Sequence, residues 1–170
     1  MIRLRPLKKN DLSLMVGWFE DRLEFMQWCA GKFQYPLTIE QLHEYYERTE
    51  NDMNAWIMTA LDSSGDPVGH FLLRKADYDN NSVHIGFIVL DKHHRGKGYG
   101  KEMVDRALNY AFEILKVERI TLGVFENNLT AHRCYLSQGF IDENHIEAAF
   151  QYDGESWGLY EMAAKKVTAD

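Results

Sequence analysis

Three alternating glycines, Gly96, Gly98 and Gly100, stand among basic residues in the run Asp91-Lys92-His93-His94-Arg95-Gly96-Lys97-Gly98-Tyr99-Gly100-Lys101. Glycine lets the backbone adopt positive φ and approach a ligand closely, so successive N–H groups can converge on one oxyanion. Lys92, Arg95, Lys97 and Lys101, with His93 and His94, make a basic island in a chain whose formal net charge is -7. The chemistry open to such a stretch is to hold a polyanion, and phosphate suits it. Two common nucleotide patterns fail here. A P-loop needs Ser or Thr after its lysine, but Glu102 follows Lys101; a dinucleotide fingerprint needs its third glycine three residues after the second, but these glycines are spaced by two.

To aim its N–H groups the loop must sit between rigid elements. Val83 to Leu90 reads as a strand before it, and Val104, Ala107, Leu108, Ala111 and Leu115 fall on one stripe of an amphipathic helix after it. That helix would point the positive end of its dipole at the loop. Upstream, Met1 to Pro6 alternates like an edge strand, and Asn10 or Asp11 is expected to cap a helix to about Asp21, with Leu12, Met15, Val16 and Phe19 at helical spacing. Arg22 to Leu37 reads as a broken helix and loop whose Phe25, Met26, Trp28, Phe33 and Tyr35 either cover the core or wall an acceptor. Thr38-Ile39-Glu40-Gln41 forms a capping box that opens a helix to about Arg48. Glu40, Glu44 and Glu47 share one face of it, as a solvated surface or as a wall that draws a cation. Asn54 to Leu61 and Pro67 to Ala76 are strands joined by the turn Asp62-Ser63-Ser64-Gly65-Asp66.

Downstream, Glu118 to Phe125 alternates as a strand, so strand, helix and strand form a parallel pair with a right-handed crossover. Asn127 or Asn128 caps a helix from Leu129 to Gln138 that ends at Gly139, and strands at Phe140 to Tyr152 and Ser156 to Lys165 join near Asp153-Gly154. The expected fold class is α/β, a mixed twisted sheet of about seven strands with helices on both faces. At 170 residues and 45% hydrophobic content, with three prolines and no Gly/Ser-rich linker, the chain supports one core and a single domain over 1–170. The N-terminus lacks the apolar stretch of a signal peptide and no apolar run reaches membrane-spanning length, so a cytoplasmic protein without membrane contact is expected. The two cysteines, Cys29 and Cys134, suit neither a disulfide framework nor a metal site. With one basic island, no stripe is left for nucleic acid.

Arg95-Gly96-Lys97-Gly98-Tyr99-Gly100 resembles the pyrophosphate loop of the GNAT superfamily of N-acetyltransferases: Arg or Gln, two residues, Gly, one residue, Gly or Ala. The stretch from Asn128 to Phe140, with Asn128, Ala131, Tyr135 and Gly139-Phe140, resembles that family's second motif, and Ala149 to Gly154 its closing hairpin. The resemblance covers essentially the whole chain. It implies an acetyl-CoA cleft between the strands ending near Leu90 and Phe125. Ile88, Val89 and Leu90 would pair by backbone with the pantetheine arm, Arg95, Gly96, Lys97, Gly98, Tyr99, Gly100 and Lys101 would hold the pyrophosphate, Asn128 would bond the cofactor, and Tyr135 would face its sulfur. A backbone N–H can then stabilise the oxyanion and a phenol can protonate the departing thiolate.

Two positions depart from the family's commoner patterns, since His84 and Gly123 stand where relatives carry glutamates. His84, with an ordinary pKa near neutrality, becomes a candidate base beside Glu126 or a water chain. Gly158 also stands where an acidic residue is frequent in the family's last strand. The expected activity is acetyl transfer to a primary amine, such as a polyamine, an aminoglycoside or a protein N-terminus, by direct attack in a ternary complex. The alternative is a non-catalytic acyl-CoA-binding regulatory domain. The partner is then a small-molecule or peptide amine; a homodimer is compatible with the sequence, which leaves oligomeric state open.

Overall fold

A computed structural model describes residues 1–168. Its seven strands are β1 (Arg3–Pro6), β2 (Trp56–Leu61), β3 (Pro67–Asp77), β4 (Ser82–Leu90), β5 (Arg119–Phe125), β6 (Ile141–Tyr152) and β7 (Glu155–Lys165), in the sheet order β1-β2-β3-β4-β5-β7-β6. The helices are α1 (Leu12–Met15), α2 (Arg22–Cys29), α3 (Ile39–Glu50), α4 (Tyr99–Asn109) and α5 (Leu129–Ser137). Every neighbouring strand pair is antiparallel except β4 and β5, which the long crossover through α4 makes parallel. The expected mixed α/β architecture is therefore the one observed.

Apolar layers lie on both faces of the sheet. On one, the α4 stripe of Val104, Ala107, Leu108, Ala111 and Leu115 is buried against Phe71, Ile85 and Ile120. The backbone stretches into a π turn at Tyr110–Ile114 before the stripe ends. On the other, Leu12, Met15, Phe25, Leu42 and Tyr45 cover Leu72 and Val89. A polar pin joins α3 to the sheet there: the fully buried His70 lies 2.9 Å from the Tyr45 hydroxyl through Nε2 and 2.8 Å from the Met58 carbonyl through Nδ1. The carbonyl can only accept, so Nδ1 donates and Nε2 accepts from tyrosine.

The first helix departs from expectation. The Leu12–Met15 helix stops well short of Asp21; Gly17 follows, and the Asp21 side chain caps α2 by accepting from Glu24 N at 2.9 Å. Asp11 does not cap the first helix through its side chain. Its carboxylate turns inward to Arg5 at 2.6 Å and accepts from the Thr59 hydroxyl at 2.9 Å, so a tertiary ion pair takes the group that local sequence assigns to a helix start.

The strand pairing builds an opening in the middle of the sheet. β4 and β5 pair only through Ser82↔Arg119, Val83↔Ile120 and His84↔Thr121. Beyond them β4 stays with β3 as far as Gly69↔Leu90, while β5 stays with β7 as far as Phe125↔Leu159. The two strands are held by different neighbours and part. A bulge sharpens the split: Gly86 pairs with Leu72 and Val89 with His70, leaving Phe87 and Ile88 opposite Phe71 alone, with Phe87 at φ 52. Positive φ is costly for an aromatic residue, and it is sustained by packing: the Phe87 ring lies 5.5 Å from Trp28, 5.8 Å from Phe33 and 5.3 Å from Tyr45.

Candidate active site

The opening between β4 and β5 is a cavity of about 740 Å³. Ile88, Val89 and Leu90 line one side, Gly123 and Val124 the other, and Gly96, Gly98, Gly100 and Lys101 its far end. Past the last paired residues, the facing backbone edges of the strands have no ladder partner in one another and are available to an extended ligand.

At the far end, Gly96 has φ 73 and Gly98 φ 83, and Gly98 is the N-cap of α4. Nothing lies within 4 Å of where a Cβ would sit at Gly96, Gly98 or Gly100. The glycines therefore leave a free surface of backbone at a helix N-terminus, as a pyrophosphate requires. Lys101 lines this end, whereas Lys97 and Tyr99 do not; the Lys97 ammonium turns to the His93 carbonyl at 3.3 Å. Arg95 borders the cavity, but its guanidinium points back to the carbonyls of Leu90 and Trp18 at 2.9 and 3.0 Å and pairs with Glu24. It braces the loop against the end of β4 and the start of α2.

Asn128 reaches the cavity from the start of α5, where its side chain accepts from Ala131 N at 3.3 Å. Two turns later Tyr135 is buried with its ring edge-on to Phe140 and also lines the cavity. Burial, with a smaller contribution from Cys134, raises its phenol above the ordinary value, so the proton stays on at neutral pH. Cys134 lines the same wall, and burial likewise raises its thiol, leaving it a protonated packing group.

A second cavity of about 430 Å³ adjoins the first, and both are bordered by Gln27, Trp28, Gly86, Phe87 and Gly123. His84 sits here rather than beside the glycine loop. It is the middle of a row across three strands, Arg74 on β3, His84 on β4 and Thr121 on β5, with Nδ1 2.9 Å from the Thr121 hydroxyl. Burial, then the charges of Arg74, Lys75 and Lys32, push its pKa down to about 4, so it is neutral at pH 7. Glu126 lines neither cavity; its carboxylate bonds His145 at 2.8 Å and the Gly158 N–H at 3.1 Å. A Cβ on Gly158 would crowd that carboxylate and the His145 ring, so the Glu126–His145 pair would have to shift to admit a side chain in the last strand.

Several lining residues lie outside the motifs. Trp28 borders both cavities, with its indole N–H buried and without a partner among the described residues. Arg74 and Lys32 border the second cavity. The aromatic density of residues 22 to 37 is a sequence signal for the first; for the cations there is none, because only the fold brings them together. Glu40, Glu44 and Glu47 are exposed and line neither cavity, so α3 presents them to solvent.

The comparisons with known proteins agree with this geometry. A family model described as an acetyltransferase (GNAT) domain matches residues 2–141. The chain is 26% identical over 153 residues to a spermidine N(1)-acetyltransferase of Vibrio cholerae, covering 90% of this chain and 86% of that protein. It is 40% identical over 103 residues to a protein named probable spermine N(1)-acetyltransferase in Bacillus subtilis subsp. natto, covering 58% of this chain and 65% of that one. The crystal structure of the Vibrio cholerae spermidine N-acetyltransferase with CoA and spermine superposes with a TM-score of 0.84 at 26% identity, over 96% of this chain and 95% of that one. With a split sheet, an open glycine loop at its mouth and a family model spanning most of its length, this chain belongs to the GNAT family of acetyltransferases and uses acetyl-CoA as its co-substrate.

Proposed function

We propose that the chain transfers acetyl directly to an aliphatic primary amine that enters through the second cavity while acetyl-CoA occupies the first, with no acetyl group passing through the protein. The observation that carries this reading is the shared border of the two cavities at Gly86, Phe87 and Gly123, which gives two ligands one meeting point inside the split sheet. Acetyl-CoA supplies an activated acyl group when bound. Gly96, Gly98, Gly100 and Lys101 hold its phosphates, Ile88, Val89 and Leu90 offer backbone to its arm, and Asn128 orients it. Arg95 supports the loop from behind.

Tyr135 holds a proton for the departing sulfur, and its raised pKa keeps that proton in place until needed. On the acceptor side, His84 can take the amine's proton at Nε2 if Nδ1 donates to the Thr121 hydroxyl. With a pKa near 4 it is a weak base, so the proton passes onward to water rather than resting on the ring. The polyamine-acetylating relatives support a polyamine as acceptor, and spermidine and spermine head the test panel. Free thiol released from acetyl-CoA is measured with each amine, alongside calorimetric acetyl-CoA binding. Thiol release with at least one primary amine is expected; binding without release from any of them would assign the chain to the regulatory, non-catalytic alternative.

A further inference from the structure

The second cavity holds a primary amine of the chain's own. α2 ends at Cys29, and Ala30 at φ 50 and Gly31 at φ 75 turn the backbone sharply, with the Lys32 N–H donating to the Cys29 carbonyl at 3.0 Å. Phe33 anchors the turn by stacking on Trp28 at 5.1 Å. The turn delivers Lys32 to the cavity, where its ammonium nitrogen stands 5.5 Å from the ring centroid of Phe87, a residue that borders both cavities. Among the described residues two lysines line the cavities, and the other, Lys101, is at the phosphate end. Lys32 makes no ion pair among the described residues. Partial burial, then the charges of Arg74, Lys75 and Arg48, lower its pKa, so more of it is neutral amine than of an ordinary lysine. Its own charge is felt at His84, the candidate base.

We propose that Lys32 is an internal acceptor: with acetyl-CoA bound and no free amine in the second cavity, Lys32 Nζ takes the acetyl group and becomes a site of self-acetylation. The residue is exposed, and its flexible four-carbon stem lets the nitrogen swing from Phe87 to the cavities' shared border at Gly86 and Gly123. The neutral Nζ attacks the acetyl carbonyl, the N–C bond forms and the C–S bond breaks. The departing sulfur takes a proton from Tyr135, and the nitrogen gives up its extra proton to water. The amide so formed is inert toward amines, so it marks the chain and is not a stage of transfer to a free acceptor. It also removes one positive charge from the wall that a cationic polyamine must pass. The inference rests on direct transfer to a primary amine in the second cavity and adds a modification site to that reading.

The full chain is incubated with acetyl-CoA and no acceptor, and acetylation is followed at each lysine by peptide mass spectrometry. Lys32 should be modified at least about 10-fold faster than Lys8 and Lys75, which line neither cavity, because the bound thioester is held beside it. The rate constant should be independent of protein concentration and should fall when excess CoA competes for the first cavity. Lys32→Arg should lose the fast phase seen in the intact mass; if that variant fails to fold, the wild-type rates still decide. Acetic anhydride needs no cofactor and gives an independent readout, in which Lys32 should be labelled ahead of Lys8. Equal rates at the three lysines, a Lys32 rate indifferent to excess CoA, or a Lys32 that anhydride does not reach would each overturn the inference. Thiol release with a free amine but no mark at Lys32 removes the internal acceptor alone, whereas absence of both removes the proposed transfer as well.

Discussion

At the scale of single residues, burial shifts the titration of Tyr135, His84 and His70 in the direction that disfavours their charged forms. The Tyr135 phenol is protonated at neutral pH and burial raises it further, so removing the hydroxyl takes away the proposed proton donor and little packing. Tyr135→Phe should lower kcat by at least about 10²-fold with acetyl-CoA affinity and Tm nearly unchanged; normal kcat with a lowered Tm would mark the hydroxyl as structural. His70 acts on stability instead. Burial lowers its pKa from 6.5 to about 4, so as pH falls below 6.5 the unfolded chain takes up a proton that the folded chain refuses. Stability present above pH 6.5 is therefore lost toward pH 4, by about 3 kcal/mol from this group at 1.36 kcal/mol per unit, and His84 adds in the same direction. Denaturant midpoints between pH 7 and 4.5 measure it, and His70→Gln should flatten the slope; an unchanged slope would remove His70 as its source.

At the scale of elements, the glycine loop and the split strands do separate jobs. Gly98 has open space at its missing Cβ but a φ of 83, so Gly98→Glu meets backbone strain rather than a clash. The fold should survive while acetyl-CoA binding is lost, because a carboxylate would stand where phosphate must reach N–H groups. Unchanged affinity in a folded variant would take the phosphate site elsewhere. Gly69 is the opposite case. On β3 its absent Cβ would fall 2.6 Å from Met103 Sδ on α4 and 3.1 Å from the Val89 carbonyl on β4. Gly69→Ala should cost roughly 1–3 kcal/mol as overpacking and lower Tm, since it separates the helix bearing the loop from the strand facing it. An unchanged Tm would show that Met103 gives way freely.

At the scale of the whole molecule, the net charge of -7 includes the three carboxylates of the α3 face, which stand outside both cavities. Because Glu40, Glu44 and Glu47 are exposed and outside both cavities, converting all three to Gln should change acceptor kcat/KM by less than about 2-fold at 0.1 M salt, where screening acts over about 10 Å. A several-fold loss would restore the steering role. Much of this protein is written in local sequence: the Arg95–Gly100 loop, the Val104–Leu115 stripe and the Asn128–Gly139 helix are contiguous patterns whose spacing alone specifies the backbone, and with it the family. Other features needed the tertiary structure. The loss of Asp11 as a side-chain cap of α1 follows from its being drawn to Arg5 and Thr59, and the turning of the Arg95 guanidinium back over the loop from carbonyls supplied by Trp18 and Leu90. The meeting of Lys32, Arg74 and His84 depends on strand register and on the Phe87 bulge. Periodicity decides which face of an element is apolar. Which distant charges share a cavity is decided by pairing between segments far apart in the chain, and that is where the acceptor would be chosen.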